Sequence, residues 1–257
     1  MQKIVLLFLL SLSCLVAASA RAAEPLKVLI VTGGCCHDYK YQTDQLKLAF
    51  KEHKVETKWT VVMEGGTGTK AKIELYDDAD WAKDFDVVIH NECFANTTDI
   101  EYIKRITGAH QDGANAVVIH CAMHTYRAAE KDQWRQLLGV TSRRHEHQSN
   151  YPVRVVEKKH PIMQGFPSDW VTPKDELYII ENLWPNAKPL ATSVSEKTST
   201  AHPCFWTNTY GKARVFGTTY GHSNETFADP VFQQAIVRGS LWAAGKLKAH
   251  DTKQASK

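Results

Sequence analysis

The sequence predicts an α/β fold with a mostly parallel central sheet and antiparallel strands added in the second half. Two observations predict it. Short, continuous apolar runs at 27–32 (KVLIVT), 86–90 (DVVIH) and 115–120 (NAVVIH) have the length and texture of strands buried on both faces. Stretches with helical spacing lie between them, and that alternation is the mark of right-handed βαβ crossovers.

The chain opens MQKIVLLFLLSLSCLVAASARAAEP, a lysine, an apolar run and then small residues ending in Ala18-Ser19-Ala20. Residues 1–23 are therefore expected to be a secretory signal peptide, and the protein to be exported to the periplasm or beyond. The run is short for a membrane anchor, and Cys14 lacks the leucine three positions before it that lipoprotein processing prefers. Residues 24–248 are expected to form one α/β domain, with 249–257 a flexible tail.

Taken in order, KVLIVT ends at Gly33-Gly34 and is the first strand. Thr43 is the expected N-cap of an amphipathic helix through DQLKLAFKEH, with Leu46, Ala49 and Phe50 on its apolar side. VETKWTVV (55–62) is the second strand, MEGGTGTKAK a loop and DVVIH the third strand. A helix over about 98–107 leads to the fourth strand, NAVVIH, and EKDQWRQLLG is the next helix. YPVRVVE, ELYIIE, PLATSV, PCFWTN and ARVFGTT then arrive without helices between them, as antiparallel or mixed strands do. DPVFQQAIVRGSLWAAGKL is the closing helix.

The formal charge is +3, of which Lys3 and Arg21 lie in the leader, and no basic cluster exceeds SRRH at 142–145. That balance argues against nucleic acid as a partner. No later segment is apolar enough to span a bilayer. Cys35, Cys36, Cys93, Cys121 and Cys204 remain after the leader, an odd number that cannot all pair within one chain. Adjacent Cys35 and Cys36 bond only through a strained ring, so free thiols are expected there.

Ligands of open parallel sheets bind beyond the carboxyl ends of the strands. Cys35, Cys36, His37 and Asp38 follow the first strand; His90, Asn91, Glu92 and Cys93 end the third; His120, Cys121, His124 and Arg127 follow the fourth; and TTYGHSNE adds His222. Each histidine alone is equally a strand cap. Together they suit a site for zinc, manganese, iron or nickel, although no compact signature such as HExxH is present. No nucleotide cofactor is expected. A nucleophilic Cys121 is the alternative, but His120 before it and Ala122-Met123 after it replace the glycines that a nucleophile elbow needs.

TGGCCHDY, AVVIHCAMHTY, WRQLLGVTSRRHEHQ, VEKKHPIMQGF, KDELYII, HPCFWTNTYGKARVFGTTYGH and DPVFQQAIVRGSLWAAG, in that order, resemble the ThuA-like (trehalose-utilisation) family from Lys27 to about Lys246. The resemblance implies a three-layer, flavodoxin-like sandwich of the class I glutamine-amidotransferase type without glutamine chemistry. Its pattern matches His37, His120, His145, His147, His160, Asp175, Glu176, Tyr178, Gly221 and His222. It departs at Cys35-Cys36 and at Gly113–Ile119, where the family often carries more glycines. It implies a carbohydrate-catabolic enzyme, a hydrolase or lyase on 3-keto glycosides, with a small carbohydrate as partner.

In that reading His37, His120 and His222 hold a divalent transition metal. Asp175 or Glu176 is the base, and His145 or His147 the acid. Asp38, Glu92, His124, Arg127, Tyr178 and Trp206 are the expected substrate contacts. Bland readings stand beside these. His160 suits a turn, Asp175 and Glu176 a loop cap or a pair with Arg214, and Phe205, Trp206 and Tyr210 a core strand. A sugar-binding accessory protein and a cysteine-dependent amidase remain the alternative functions, and the aromatic-rich second half is compatible with a homo-oligomer.

Overall fold

The computed structural model describes residues 24–247, so the expected signal peptide and tail lie outside the described residues. An eight-stranded sheet forms the centre. Its strands are β1 (Leu26–Gly34), β2 (Thr57–Met63), β3 (Val87–Cys93), β4 (Ala116–Ile119), β6 (Arg154–Val155), β8 (Lys188–Val194), β9 (Ala201–Tyr210) and β10 (Ala213–Thr218), in the order β2-β1-β3-β4-β10-β9-β8-β6. From β2 to β10 neighbouring strands are parallel, and β9, β8 and β6 then alternate in direction. β5 (Val140–Ser149) and β7 (Asp175–Leu183) pair separately as a two-stranded antiparallel sheet.

Strand alternation splits the core into two layers. Val28 and Ile30 pack with Leu46 and Phe50 of α1 (Tyr39–Glu52) and with Phe232 and Ile236 of α5 (Pro230–Ala243). Leu29 and Val31 face the other way, onto Tyr102, Ile103 and Ile106 of α2 (Ile100–Gln111) and Trp134 and Leu137 of α3 (Gln133–Leu138). A short α4 (Asn224–Ala228) precedes α5. The result is the expected three-layer sandwich, and among the described residues no helix is long and apolar enough to cross a membrane.

Several elements depart from expectation. α1 begins at Tyr39, four residues before the expected Thr43, because the Asp38 carboxylate accepts from the Tyr41 amide at 3.1 Å and caps the helix. Thr43 lies inside the helix and donates its hydroxyl to the Tyr39 carbonyl. Asp99 caps α2 in the same way, and the helix runs on to Gln111. YPVRVVE divides: Pro152 bridges Val171, flanked by backbone bonds of Tyr151 and Val153, and only the two residues of β6 join the central sheet. SRRH, read as a basic cluster, lies within strand β5, and ELYIIE pairs with that strand instead of joining the central sheet.

Candidate functional site

The carboxyl ends of β1, β4 and β10 meet at one edge. There the order of the strands reverses around β1, with the chain passing first to β2 and then to β3. Gly34 makes this meeting possible. Its φ is +97°, and a Cβ on it would overlap the Cys93 carbonyl on the neighbouring strand. β1 can therefore end pressed against β3 and deliver Cys35, Cys36 and His37 to the edge. His120 follows β4 directly at φ +48°, an uncommon conformation for a non-glycine residue and one that recurs at functional sites.

His37, His120 and His222 converge. One ring nitrogen from each lies within 4.8 Å of the others, and His37 Nε2 is 3.2 Å from His222 Nδ1. Two nitrogens on a tetrahedral zinc ion are about 3.3 Å apart, so the His37–His222 pair already has that spacing and His120 stands close enough to close on the same ion by a small shift. The surrounding hydrogen bonds set the tautomers. His120 Nδ1 donates to the Thr219 carbonyl at 2.6 Å, which leaves Nε2 with its lone pair toward the cluster. Tyr39 donates its hydroxyl hydrogen to the Cys35 carbonyl, so its oxygen accepts from His37 Nδ1 at 3.3 Å, and His37 Nε2 also presents a lone pair. Burial, reinforced by His222, lowers the His37 pKa to about 4. Burial, reinforced by His37, holds His120 well below its ordinary value. Both rings are neutral, as ligands must be.

The two-stranded sheet lies against this edge and supplies the remaining groups. Glu176 Oε2 is 3.3 Å from His145 Nδ1, 3.4 Å from His222 Nδ1 and 3.7 Å from His120 Nε2. Its hydrogen bond raises the His222 pKa against the effect of burial. Tyr178 places its hydroxyl 3.4 Å from His120 Nε2, and its ring lies against both His124, at 4.1 Å, and His145, at 5.5 Å. A surface depression beside the cluster is lined by Cys36, His37, Asp38, Gln148, His222 and Asn224.

Other expected site residues are placed differently. Asp175 is fully buried and accepts from the amides of Gly221 and His222 and from the Thr226 hydroxyl, so it positions the His222 loop and does not face the depression. Burial pushes its pKa up to about 6 against those donors. Glu92 is turned inward: alternation along β3 puts His90 and Glu92 on the α2 face, where they pair at 2.9 Å, and puts Asn91 and Cys93 on the α1 face. Trp206 is a core residue whose indole N–H donates to the Leu138 carbonyl. His147 points away from the cluster and pairs with Glu196 at 2.8 Å. His124 is buried, 3.2 Å from the Ser142 hydroxyl, and burial followed by Arg127 lowers its pKa to about 3. Arg127 is half-buried, outside the lining of the depression, and donates to the Arg143 carbonyl. Asp38 is both the α1 cap and part of the lining.

Three supporting residues escaped the sequence reading. Gln148 contacts His222 Nε2 at 2.7 Å through a register shift between His145 and Gln148, while Tyr39 and Thr219 fix the tautomers of His37 and His120. The sequence carries no signal for a bulge or for a carbonyl partner. The cysteines also differ from expectation. Cys35 and Cys36 form a disulfide where Cys36 takes φ +87°, and Cys93 is bonded to Cys121 across the ends of β3 and β4. Cys204 is the free, buried fifth. While that bond is closed, Cys121 offers no thiolate for an amidase.

The profile of the ThuA family, described as trehalose utilisation, matches residues 27–243. A ThuA-like protein from Parabacteroides merdae shares 23% identity with a TM-score of 0.71, covering 88% of this chain and 92% of its own. One from Bacteroides uniformis shares 17% at 0.62, covering 87% and 95%. A protein from Thermoplasma acidophilum described as part of a GMP synthase shares 12% at 0.55, covering 87% and 96%. No functionally curated protein matches. The structural likenesses carry the glutamine-amidotransferase-like fold, and the profile spans almost every described residue: the chain belongs to the ThuA family, whose general role is carbohydrate utilisation.

Proposed function

We propose that this protein is an exported enzyme of carbohydrate catabolism that cleaves 3-keto glycosides at the histidine cluster, as a lyase or hydrolase, with help from a divalent transition metal. The observation that supports it is the convergence of three imidazoles and Glu176 at the strand ends. The donor set fits zinc and its neighbours: two neutral imidazoles with fixed tautomers, His37 and His120, and a third, His222, beside a carboxylate. When bound, such an ion supplies positive charge against which charge on the C3 oxygen is stabilised.

The chain's own residues supply the proton transfers. A ketone at C3 acidifies the hydrogen at C2, and Glu176, held at its backbone by the Asp175 side chain, takes that proton. The freed electron pair forms the C1=C2 double bond as the glycosidic C1–O bond breaks. His145 gives the leaving oxygen its proton; its Nδ1 is occupied by the Glu146 carbonyl at 2.8 Å and by Glu176, which leaves Nε2 for the substrate. Return of the proton to C2 with addition of water at C1 converts elimination into net hydrolysis.

The test is aglycone release from a 3-keto glucoside and from its unoxidised parent, with zinc or manganese supplied. The reading predicts release from the ketone alone and a loss of about 10²–10⁴-fold in Glu176→Gln. Equal rates on both substrates would remove the ketone requirement. Tight binding without release would make this a sugar-binding protein instead.

A further inference from the structure

We propose that the four strand-end cysteines form a thiol–disulfide relay, which accepts two electrons from a protein dithiol at Cys35–Cys36 and passes them to the buried Cys93–Cys121 pair. Cys36 is exposed, Cys35 is half-buried, and Cys93 and Cys121 are 3% and 7% exposed. Cys35 Sγ lies 3.7 Å from Cys93 Sγ, in van der Waals contact. The sulfurs thus run as a continuous line from solvent to the interior. A staple does not account for the outer pair, because a disulfide between neighbours closes no chain loop and restrains almost nothing in the unfolded state. Its remaining value is chemical.

The exchange balances at each step. A thiolate of the donor attacks Cys36 Sγ, the Cys35–Cys36 bond breaks and Cys35 leaves as a thiolate. The donor's second thiol closes its own disulfide and releases Cys36. Cys35 then attacks Cys93 Sγ, forming a Cys35–Cys93 bond and expelling Cys121, which takes a proton. Finally Cys36 attacks Cys35, the vicinal bond re-forms and Cys93 leaves as a thiol. The donor ends oxidised and the buried pair reduced. Cys204 stays outside the exchange: burial pushes its thiol up to about 12.

The inference is independent of the reaction proposed above, because its readout is the labelling of thiols. Full-length protein is treated with reduced thioredoxin, a donor too large to reach the buried pair, then alkylated and mapped by non-reducing peptide mass spectrometry. Cys93 and Cys121 are expected to label while Cys35–Cys36 is recovered intact, and Cys35→Ser should slow labelling of Cys121 by more than about tenfold. Cys36→Ser, which lacks the final step, should accumulate the Cys35–Cys93 peptide with Cys121 alkylated. Reduction that stops at Cys35–Cys36 in the wild type overturns the relay, and so does a Cys36→Ser protein in which Cys93–Cys121 persists beside a free Cys35.

Discussion

Gly34→Ala tests whether the close approach of β1 to β3 builds the candidate site. Two costs apply. At φ +97° an alanine pays about 1–3 kcal/mol of backbone strain. Its Cβ would also overlap the Cys93 carbonyl oxygen and lie 2.8 Å from the carbonyl carbon, and forcing that contact open costs about another 1–3 kcal/mol. Gly113→Ala is the control: its φ of +129° imposes strain of the same kind, yet its nearest neighbour, Lys212 Cβ, is at an ordinary 3.6 Å. Urea unfolding of the two variants should therefore differ by about 1–3 kcal/mol, with Gly34→Ala the less stable. The displacement falls on Cys35–His37, so Gly34→Ala should also weaken zinc binding where Gly113→Ala does not. Equal unfolding free energies within about 0.5 kcal/mol would refute the steric argument.

Elemental analysis of untagged protein should find near-stoichiometric zinc, manganese, iron or nickel in the wild type and none in His120→Ala; two metal-free proteins that stay so after incubation with those ions would make His120 an acid, a base or a cap. The raised His222 pKa means that its charged form contributes stability present below pH 6.5 and lost as pH rises through the folded-state value. Calorimetry in buffers of different ionisation enthalpy should accordingly show zinc binding that tightens with pH and releases a proton near pH 6.5; an uptake of protons would contradict it. Trp206→Ala should cost about 3–5 kcal/mol of stability by opening a core cavity, and should leave the KM of the folded protein for the proposed substrate unchanged. A raised KM would return Trp206 to the substrate.

Legibility followed the range of the forces involved. The buried strands β1, β3 and β4 announce themselves as continuous apolar runs, because burial on both faces leaves no room for polar residues. The convergence of His37, His120 and His222 was legible once those strands were taken as parallel, since parallel strands send their carboxyl ends to one edge. Glu92 and Cys93 stand next to each other in sequence, yet alternation sends one to a buried histidine pair and the other to the sulfur cluster. Their faces depend on the register of β3 against its neighbours, which a short run of residues does not encode. β5 was missed for a related reason. With one face toward the site and one toward solvent, SRRHEHQ has almost no apolar residue to mark it as a strand. The Cys35–Cys36 bond depends on a single positive φ, which composition does not reveal.

Asp175 and Glu176 show how two adjacent carboxylates acquire separate tasks. They follow one another on β7, so they point to opposite sides. Asp175 turns inward and holds the Gly221–His222 amides, fixing where the third imidazole stands. Glu176 turns outward among His120, His145 and His222, where its charge favours the protonated form of His222. His37 and His120 respond oppositely, because burial and the neighbouring rings disfavour charge on them. The ion-free cluster therefore holds one anion beside one readily protonated ring and two neutral rings with lone pairs inward. A dication entering there need displace only the proton shared between Glu176 and His222. The Gln148 amide must then turn its oxygen to accept from His222 Nε2, since a ring that ligates through Nδ1 carries its hydrogen on the other nitrogen. Gln148→Glu, which offers an acceptor in every orientation, should strengthen zinc binding and raise the His222 pKa further, and Gln148→Leu should weaken both. Zinc affinity and a histidine titration by NMR measure the pair together, and an unchanged affinity in both variants would detach β5 from the site.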